Sequence, residues 1–196
     1  MPQLHRPHHL PPAAVRPVLC PVGIPGGKIS TGPVCGEVIV IFCTVGTTEF
    51  DDLVRAVDEL APELGEPVIF QIGHGRYEPK HGEWFRFRPD ITPYFQQASL
   101  VIAHGGFGTT VDALYAGARL VSVPNPDRFD KHQEQIIRQF AAEGYLVPCF
   151  HLDRLAEAVE QARTQPLRPY DPPQTTLHLE IREFLNARRQ GFSSTT

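Results

Sequence analysis

The sequence has a single methionine and a single tryptophan, and lysine stands only at positions 28, 80 and 131. Arginine supplies most of the positive charge; this is a composition bias without functional weight. Cysteine is sparse: Cys20, Cys35, Cys43 and Cys149, with no Cys-x-x-Cys pair. That spacing excludes a zinc site or a dense disulfide framework and fits a reducing cytoplasm. A basic excess is also missing, because 18 Lys and Arg face 22 Asp and Glu for a net charge of −4. The balance argues against an obligate nucleic-acid binder. No apolar run approaches the roughly 20 residues that span a bilayer. Nor does the N-terminus read as a cleavable signal peptide, since no basic flank precedes an apolar core.

What is present is the composition of a soluble globular chain, 41% apolar and 20% charged, with length for one real core. Residues 1–36 are rich in Pro, Gly and His without apolar periodicity, and read as a disordered leader. Its His5, His8 and His9 read as solvated side chains rather than metal ligands. Residues 37–190 read as the folded domain and 191–196 as a flexible tail. Order is expected from Val38, where a β-branched run to Val45 predicts a strand buried on both faces. Helical spacing of Phe50, Leu53, Val54, Val57 and Leu60 predicts a helix closed by Pro62. Strands follow at 68–72 and 84–88, and a short helix at 91–98. A strand at 119–123, a helix at 131–143 and a short strand at 145–148 come later. Next is a helix at 152–162, capped by His151 or Asp153. A proline-rich loop at 166–173 leads to a last helix from about 175 to 189, with Leu177, Ile181, Phe184 and Leu185 on one face. Alternating strands and helices imply an α/β fold: a Rossmann-like parallel sheet with helices on both faces.

One stretch, residues 99–117, organises the rest. A short apolar strand runs into His-Gly-Gly-Phe-Gly-Thr-Thr-Val-Asp at 104–112, and the helix that follows is closed by Gly117. Such a turn leaves free N–H groups at a helix N-terminus, where the dipole attracts anions. Gly105, Gly106 and Gly108 would let a phosphate approach the backbone. Thr109 and Thr110 add hydroxyls in the first helical turn, and Asp112, placed in the same turn, reaches toward a ribose. The implied ligand is the diphosphate and ribose of a nucleotide. The turn is neither Gly-x-Gly-x-x-Gly, since Val111 stands at the third glycine, nor a P-loop. Simpler readings stand beside this one. His104 can be a hydrogen-bonded residue at a strand end, and Asp112 a partner of the helix dipole. Asp130 can cap the next helix, and Gln133 can be exposed on it. His74 reads as a loop residue and Trp84 as core.

His104, the three glycines, Asp112 and Gly117 resemble the donor-binding box of GT-B nucleotide-sugar glycosyltransferases, most closely family 28, the MurG group. Within it the chain resembles the small split enzymes whose donor half is a separate polypeptide. Examples are the catalytic subunit of the eukaryotic dolichol-linked chitobiose synthase and the PssE-type subunits of bacterial polysaccharide synthesis. Two further stretches carry the likeness: Thr-Val-Gly-Thr-Thr-Glu-Phe-Asp at 44–51, and Pro-Asn-Pro-Asp-Arg-Phe-Asp-Lys-His-Gln at 124–133. The resemblance covers about residues 38–164 and implies the C-terminal half of a GT-B enzyme. It assigns catalysis to His104, Asp130 and His132. Substrate binding falls to Gly46, Thr47, Gly105, Gly106, Gly108, Thr109, Asp112, Asn125 and Gln133. Asp112 stands where the family usually has Glu. No Asp-x-Asp pair is present, so neither a metal nor another cofactor is expected; the UDP-sugar is the substrate.

One domain of two implies a partner. The resemblance points to a membrane-associated subunit that binds a polyprenyl-diphosphate-linked acceptor and holds this cytoplasmic chain at the membrane. The expected activity is inverting hexosyl transfer in polysaccharide or glycan synthesis. The alternative is a non-catalytic, nucleotide-binding scaffold or regulatory subunit of such a complex. An epimerase or hydrolase would need facing carboxylates, which are not found, and an oxidoreductase would need the missing third glycine.

Overall fold

The computed structural model describes residues 39–126, 132–172, 176 and 179–185. The expected leader at 1–36 and tail at 191–196 lie outside the described residues, as do Asp130, Lys131 and Leu177. All described residues fall in one unit, Ile39–Thr196.

Among the described residues, six parallel strands form one sheet in the order β3-β2-β1-β4-β5-β6. They are β1 (Val40–Thr44), β2 (Val68–Gln71), β3 (Gly82–Phe85), β4 (Ala98–His104), β5 (Leu120–Val123) and β6 (Val147–Pro148). The helices are α1 (Asp51–Leu64), α2 (Thr92–Gln97), α3 (Phe107–Tyr115), α4 (His132–Ala142) and α5 (Leu155–Thr164). Residues 179–185 are also helical. No helix among the described residues is long and apolar enough to cross a membrane.

Strand side chains alternate between two cores, as a sheet covered on both faces requires. Ile41, Cys43, Leu100, Ile102, Val121 and Val123 pack with Leu53, Val54 and Val57 of α1 and Leu155 and Val159 of α5. Phe42, Val101, Ala103 and Leu120 face the other way, against Phe95 of α2, Ala113 and Leu114 of α3 and Ile137 of α4. The two sides together confirm the expected Rossmann-like architecture.

Four sequence expectations shift. Pro62 does not close α1; the helix continues to Leu64 and ends on Gly65, whose φ of 73° is the left-handed conformation. Proline cannot donate to the carbonyl of Asp58 one turn back, and His81 Nδ1 sits 3.1 Å from that oxygen instead. The Asp58 carboxylate is itself buried and accepts from the Tyr77 hydroxyl and the amides of Lys80 and His81 at 2.7–3.0 Å. Burial alone would raise its pKa. The Tyr77 hydrogen bond and then the two amides outweigh it and hold the carboxyl below its ordinary value.

The third strand sits at Gly82–Phe85 rather than 84–88, because Arg86 leaves the sheet to donate to the carbonyls of Gly73 and Gly75. The segment at 152–154 is a 3-10 turn before α5, and neither His151 nor Asp153 caps it with a side-chain hydrogen bond. The helix after the glycine turn begins at Phe107, earlier than the motif suggested.

Candidate functional site

The order 3-2-1-4-5-6 reverses direction between β1 and β4. The chain leaves β1 toward α1 on one face and leaves β4 toward α3 on the other. In sheets of this topology ligands bind in the crevice beyond the strand C-termini at such a switch point. Gly46 and Thr47 enter it from β1, and His104 ends β4 beside them.

His104 is 5% exposed, and its imidazole lies between two glycines. A methyl group on Gly46 would come 2.9 Å from Cε1, and one on Gly106 would come 2.5 Å from Nε2. Neither position tolerates a Cβ without moving the ring. Gly46 also has φ of 61°, a conformation that L side chains rarely adopt. Thr109 is half-buried on the same side, its Oγ1 3.4 Å from that Gly46 methyl position.

Gly105 serves a different contact. Its amide donates to Val123 O at 2.8 Å and extends the β4–β5 ladder by one residue. A methyl there would meet Ile137 Cδ1 at 2.5 Å and Gln133 Cβ at 3.2 Å, so glycine lets α4 pack against the turn. Gly108 is exposed, and its methyl position has no atom within 4 Å.

Gly106 is the N-cap of α3 and makes no side-chain capping bond. The first i to i−4 bond runs from Thr110 N to Gly106 O at 2.9 Å. The amides of Phe107, Gly108 and Thr109 therefore have no acceptor within the helix. They point out of its N-terminus, where the macrodipole amounts to about half a positive charge. An imidazole edge and three outward amides in one crevice can hold the oxygens of a diphosphate.

Two placements differ from the sequence reading. Asp112 is exposed and lies in the second turn of α3, not the first, because the helix starts at Phe107. Thr110 is fully buried rather than offered to a ligand, and its hydroxyl has no hydrogen-bond partner among the described residues.

The loop after β5 is tied to the loop after β1. The amide of Asn125 donates to Gln133 Oε1 at 2.8 Å, and Asn125 Nδ2 donates to Glu49 O at 3.0 Å. Asn125 is thus buried as a brace, while Gln133 keeps a half-buried position facing the turn. His132 is exposed at the start of α4. Asp130, paired with it in the sequence reading, lies outside the described residues.

Two residues beneath Gly46 had no role in the sequence reading: Thr44, although it opens the 44–51 stretch, and Gln71. Thr44 Oγ1 donates to Gln71 Oε1 at 2.6 Å and accepts from the Gly46 amide at 3.0 Å. A threonine two residues before a glycine at a strand end is the available signal for such a turn. Gly73 presses on the same loop: its methyl position lies 2.8 Å from Gly46 O and 2.4 Å from Thr48 O.

Comparison with known proteins bears on the family and the fold. The UDP-N-acetylglucosamine transferase subunit ALG13 of Mus musculus is 36% identical over 121 residues, which are 55% of this chain and 10% of that relative. The chain therefore spans about a tenth of that relative's length. An NMR solution structure of ALG13 superposes with a TM-score of 0.52 at 23% identity, covering 74% of this chain and 94% of that one. The glycotransferase of kitacinnamycin gives a TM-score of 0.55 at 20% identity, covering 74% of this chain and 40% of that one. These structural likenesses establish the fold, that of one domain of a GT-B glycosyltransferase. The model of the glycosyltransferase family 28 C-terminal domain matches residues 40–186, and the chain belongs to that family.

Proposed function

We propose that this chain is the donor-binding, catalytic subunit of a two-subunit glycosyltransferase. It takes a sugar from a UDP-sugar and delivers it to a polyprenyl-diphosphate-linked acceptor held by a membrane-associated partner. One observation carries the reading: the His104 imidazole is lodged between Gly46 and Gly106, beside the open amides of α3. The relative's description as a UDP-N-acetylglucosamine transferase subunit supports UDP-N-acetylglucosamine as donor and supports a complex. Nothing in the reading calls for nucleic acid.

In the proposed reaction the acceptor hydroxyl oxygen bonds to C1 of the sugar from the face opposite UDP. The bond from C1 to the β-phosphate oxygen breaks, and its electron pair leaves with UDP, inverting the anomeric centre. The hydroxyl proton passes to a base on the partner. Negative charge grows on the departing diphosphate, and the amides of 107–109 with His104 are preorganised to stabilise it. No cofactor is required in this scheme. Asp112 would hold the ribose, and His132, Asp130, Asn125 and Gln133 would border the sugar. The partner would draw this cytoplasmic chain to the cytoplasmic face of the membrane.

Calorimetry tests the donor site. The wild-type chain should bind UDP, and His104→Ala should weaken binding at least tenfold; equal affinities would remove His104 from the site. Co-expression with the co-purifying partner should yield transfer. UDP binding without transfer in that complex would instead mark the chain as a nucleotide-binding scaffold.

A further inference from the structure

Two buried polar side chains beneath the crevice have no part in the scheme above. Thr44 is fully buried and Gln71 is 4% exposed, at the C-terminal ends of neighbouring strands. They are register partners in the parallel β1–β2 pair. Buried hydroxyls and amides are costly unless they are hydrogen-bonded. These two face each other, with Thr44 Oγ1 donating to Gln71 Oε1 at 2.6 Å.

That bond uses the only proton of the Thr44 hydroxyl and aims its lone pairs away from Gln71. One lone pair receives the Gly46 amide at 3.0 Å, closing a turn of two residues. The hydroxyl direction is therefore set from β2, and the turn it closes carries Gly46 in its left-handed conformation. Gly46 in turn lies beside Cε1 of His104, where even a methyl group would collide. A continuous chain of contacts runs from Gln71 through Thr44 and Gly46 to the imidazole.

The geometry points to Thr44 and Gln71 as positioning residues for His104. Their shared hydrogen bond fixes the wall against which the imidazole rests, and so fixes where the ring meets the donor diphosphate. This assignment rests on the proposed donor site for its functional consequence, but its structural claim concerns the ring alone. Neither side chain touches the ligand in this account. The loop above is held independently from two other sides, by Asn125 Nδ2 on Glu49 O and by the His74 amide on Thr48 O. Loss of the Thr44 hydroxyl should therefore shift the Gly46 wall without unfolding the loop.

Thr44→Val removes the hydroxyl at nearly constant volume, and Thr44→Ser retains it. Two readouts on the full chain separate positioning from general stability. The first is the NMR resonance of the proton on His104 Cε1, the atom that Gly46 abuts, recorded without ligand. The second is UDP affinity by calorimetry. Thr44→Val should move the resonance and weaken UDP binding about tenfold, while Thr44→Ser should restore both to near wild type. A folded Thr44→Val protein with an unmoved resonance and wild-type UDP affinity would overturn the assignment. If Thr44→Val does not fold, Gln71→Met, which removes the acceptor, must shift the same resonance; an unmoved signal there overturns it as well. Failure of the wild-type chain to bind UDP would sink the donor reading alone, since the resonance needs no ligand.

Discussion

Gly46→Ala is a sharp perturbation of the crevice, and its effect divides into two parts. The first is backbone strain. Alanine at φ of 61° pays about 1–2 kcal/mol for the left-handed conformation. For a domain of this size each kcal/mol lowers the melting temperature by about 2–4 °C. The second part is steric: the new methyl would lie 2.9 Å from His104 Cε1, so the ring must recede by a few tenths of an ångström. That shift weakens the ring's hydrogen bond to the diphosphate, and since a bond to a charged group is worth about 1.5–3 kcal/mol, its partial loss corresponds to about a tenfold loss of affinity. Gly65→Ala isolates the first part, because Gly65 has φ of 73° and no atom within 4 Å of its methyl position. Both variants should melt several degrees below wild type by calorimetry. Only Gly46→Ala should lose UDP affinity, by about tenfold in isothermal titration. Equal UDP affinity in the two variants would refute the claim that Gly46 sets the position of His104 in the donor site.

Asp112→Ala should weaken UDP about tenfold, the worth of one hydrogen bond to a charged group. A 2′,3′-dideoxy analogue of UDP should then bind variant and wild type alike; unchanged UDP affinity would leave Asp112 without a ribose role. Gln133→Glu keeps an oxygen for the Asn125 amide but sets a carboxylate beside the glycine turn, so UDP binding should weaken by like-charge repulsion. Unchanged UDP affinity in isothermal titration would place the diphosphate away from that turn. Asp58→Ala strips the partners from the Tyr77 hydroxyl and two amides and should destabilise the fold by about 3 kcal/mol in urea denaturation. Because the Asp58 carboxyl lies below its unfolded value when folded, its contribution is complete above the ordinary carboxylate range. It is lost as pH falls through the folded value. The melting-temperature gap between wild type and Asp58→Asn should thus narrow below about pH 4; a gap constant from pH 7 to pH 3 would contradict this.

The sheet and its helices were legible because β-branched runs and helical stripes stand in strict alternation. The glycine turn at 104–109 was legible as a turn because three glycines stand between an apolar strand and a helical stretch. Helix starts were harder: α3 begins on Gly106 without a side-chain cap, so no residue type announced it, and Asp112 fell one turn further along than expected. The continuation of α1 through Pro62 depends on His81, 19 positions downstream, covering the carbonyl that proline leaves open. Trp84 through Arg88 reads as one strand, yet Arg86 is diverted by carbonyls of the β2 loop. The braces of the site, Thr44 with Gln71 and Asn125 with Glu49, join positions 27 and 76 residues apart. No local pattern encodes such pairs.

Donor binding as proposed requires a diphosphate cradle between the loop after β1 and the start of α3. A crystal structure of the chain with UDP tests it most directly. Diphosphate oxygens should lie about 2.7–3.2 Å from the amides of residues 107–109 and from the His104 ring. UDP bound away from that crevice, with the amides of α3 turned to solvent and His104 unengaged, would contradict it.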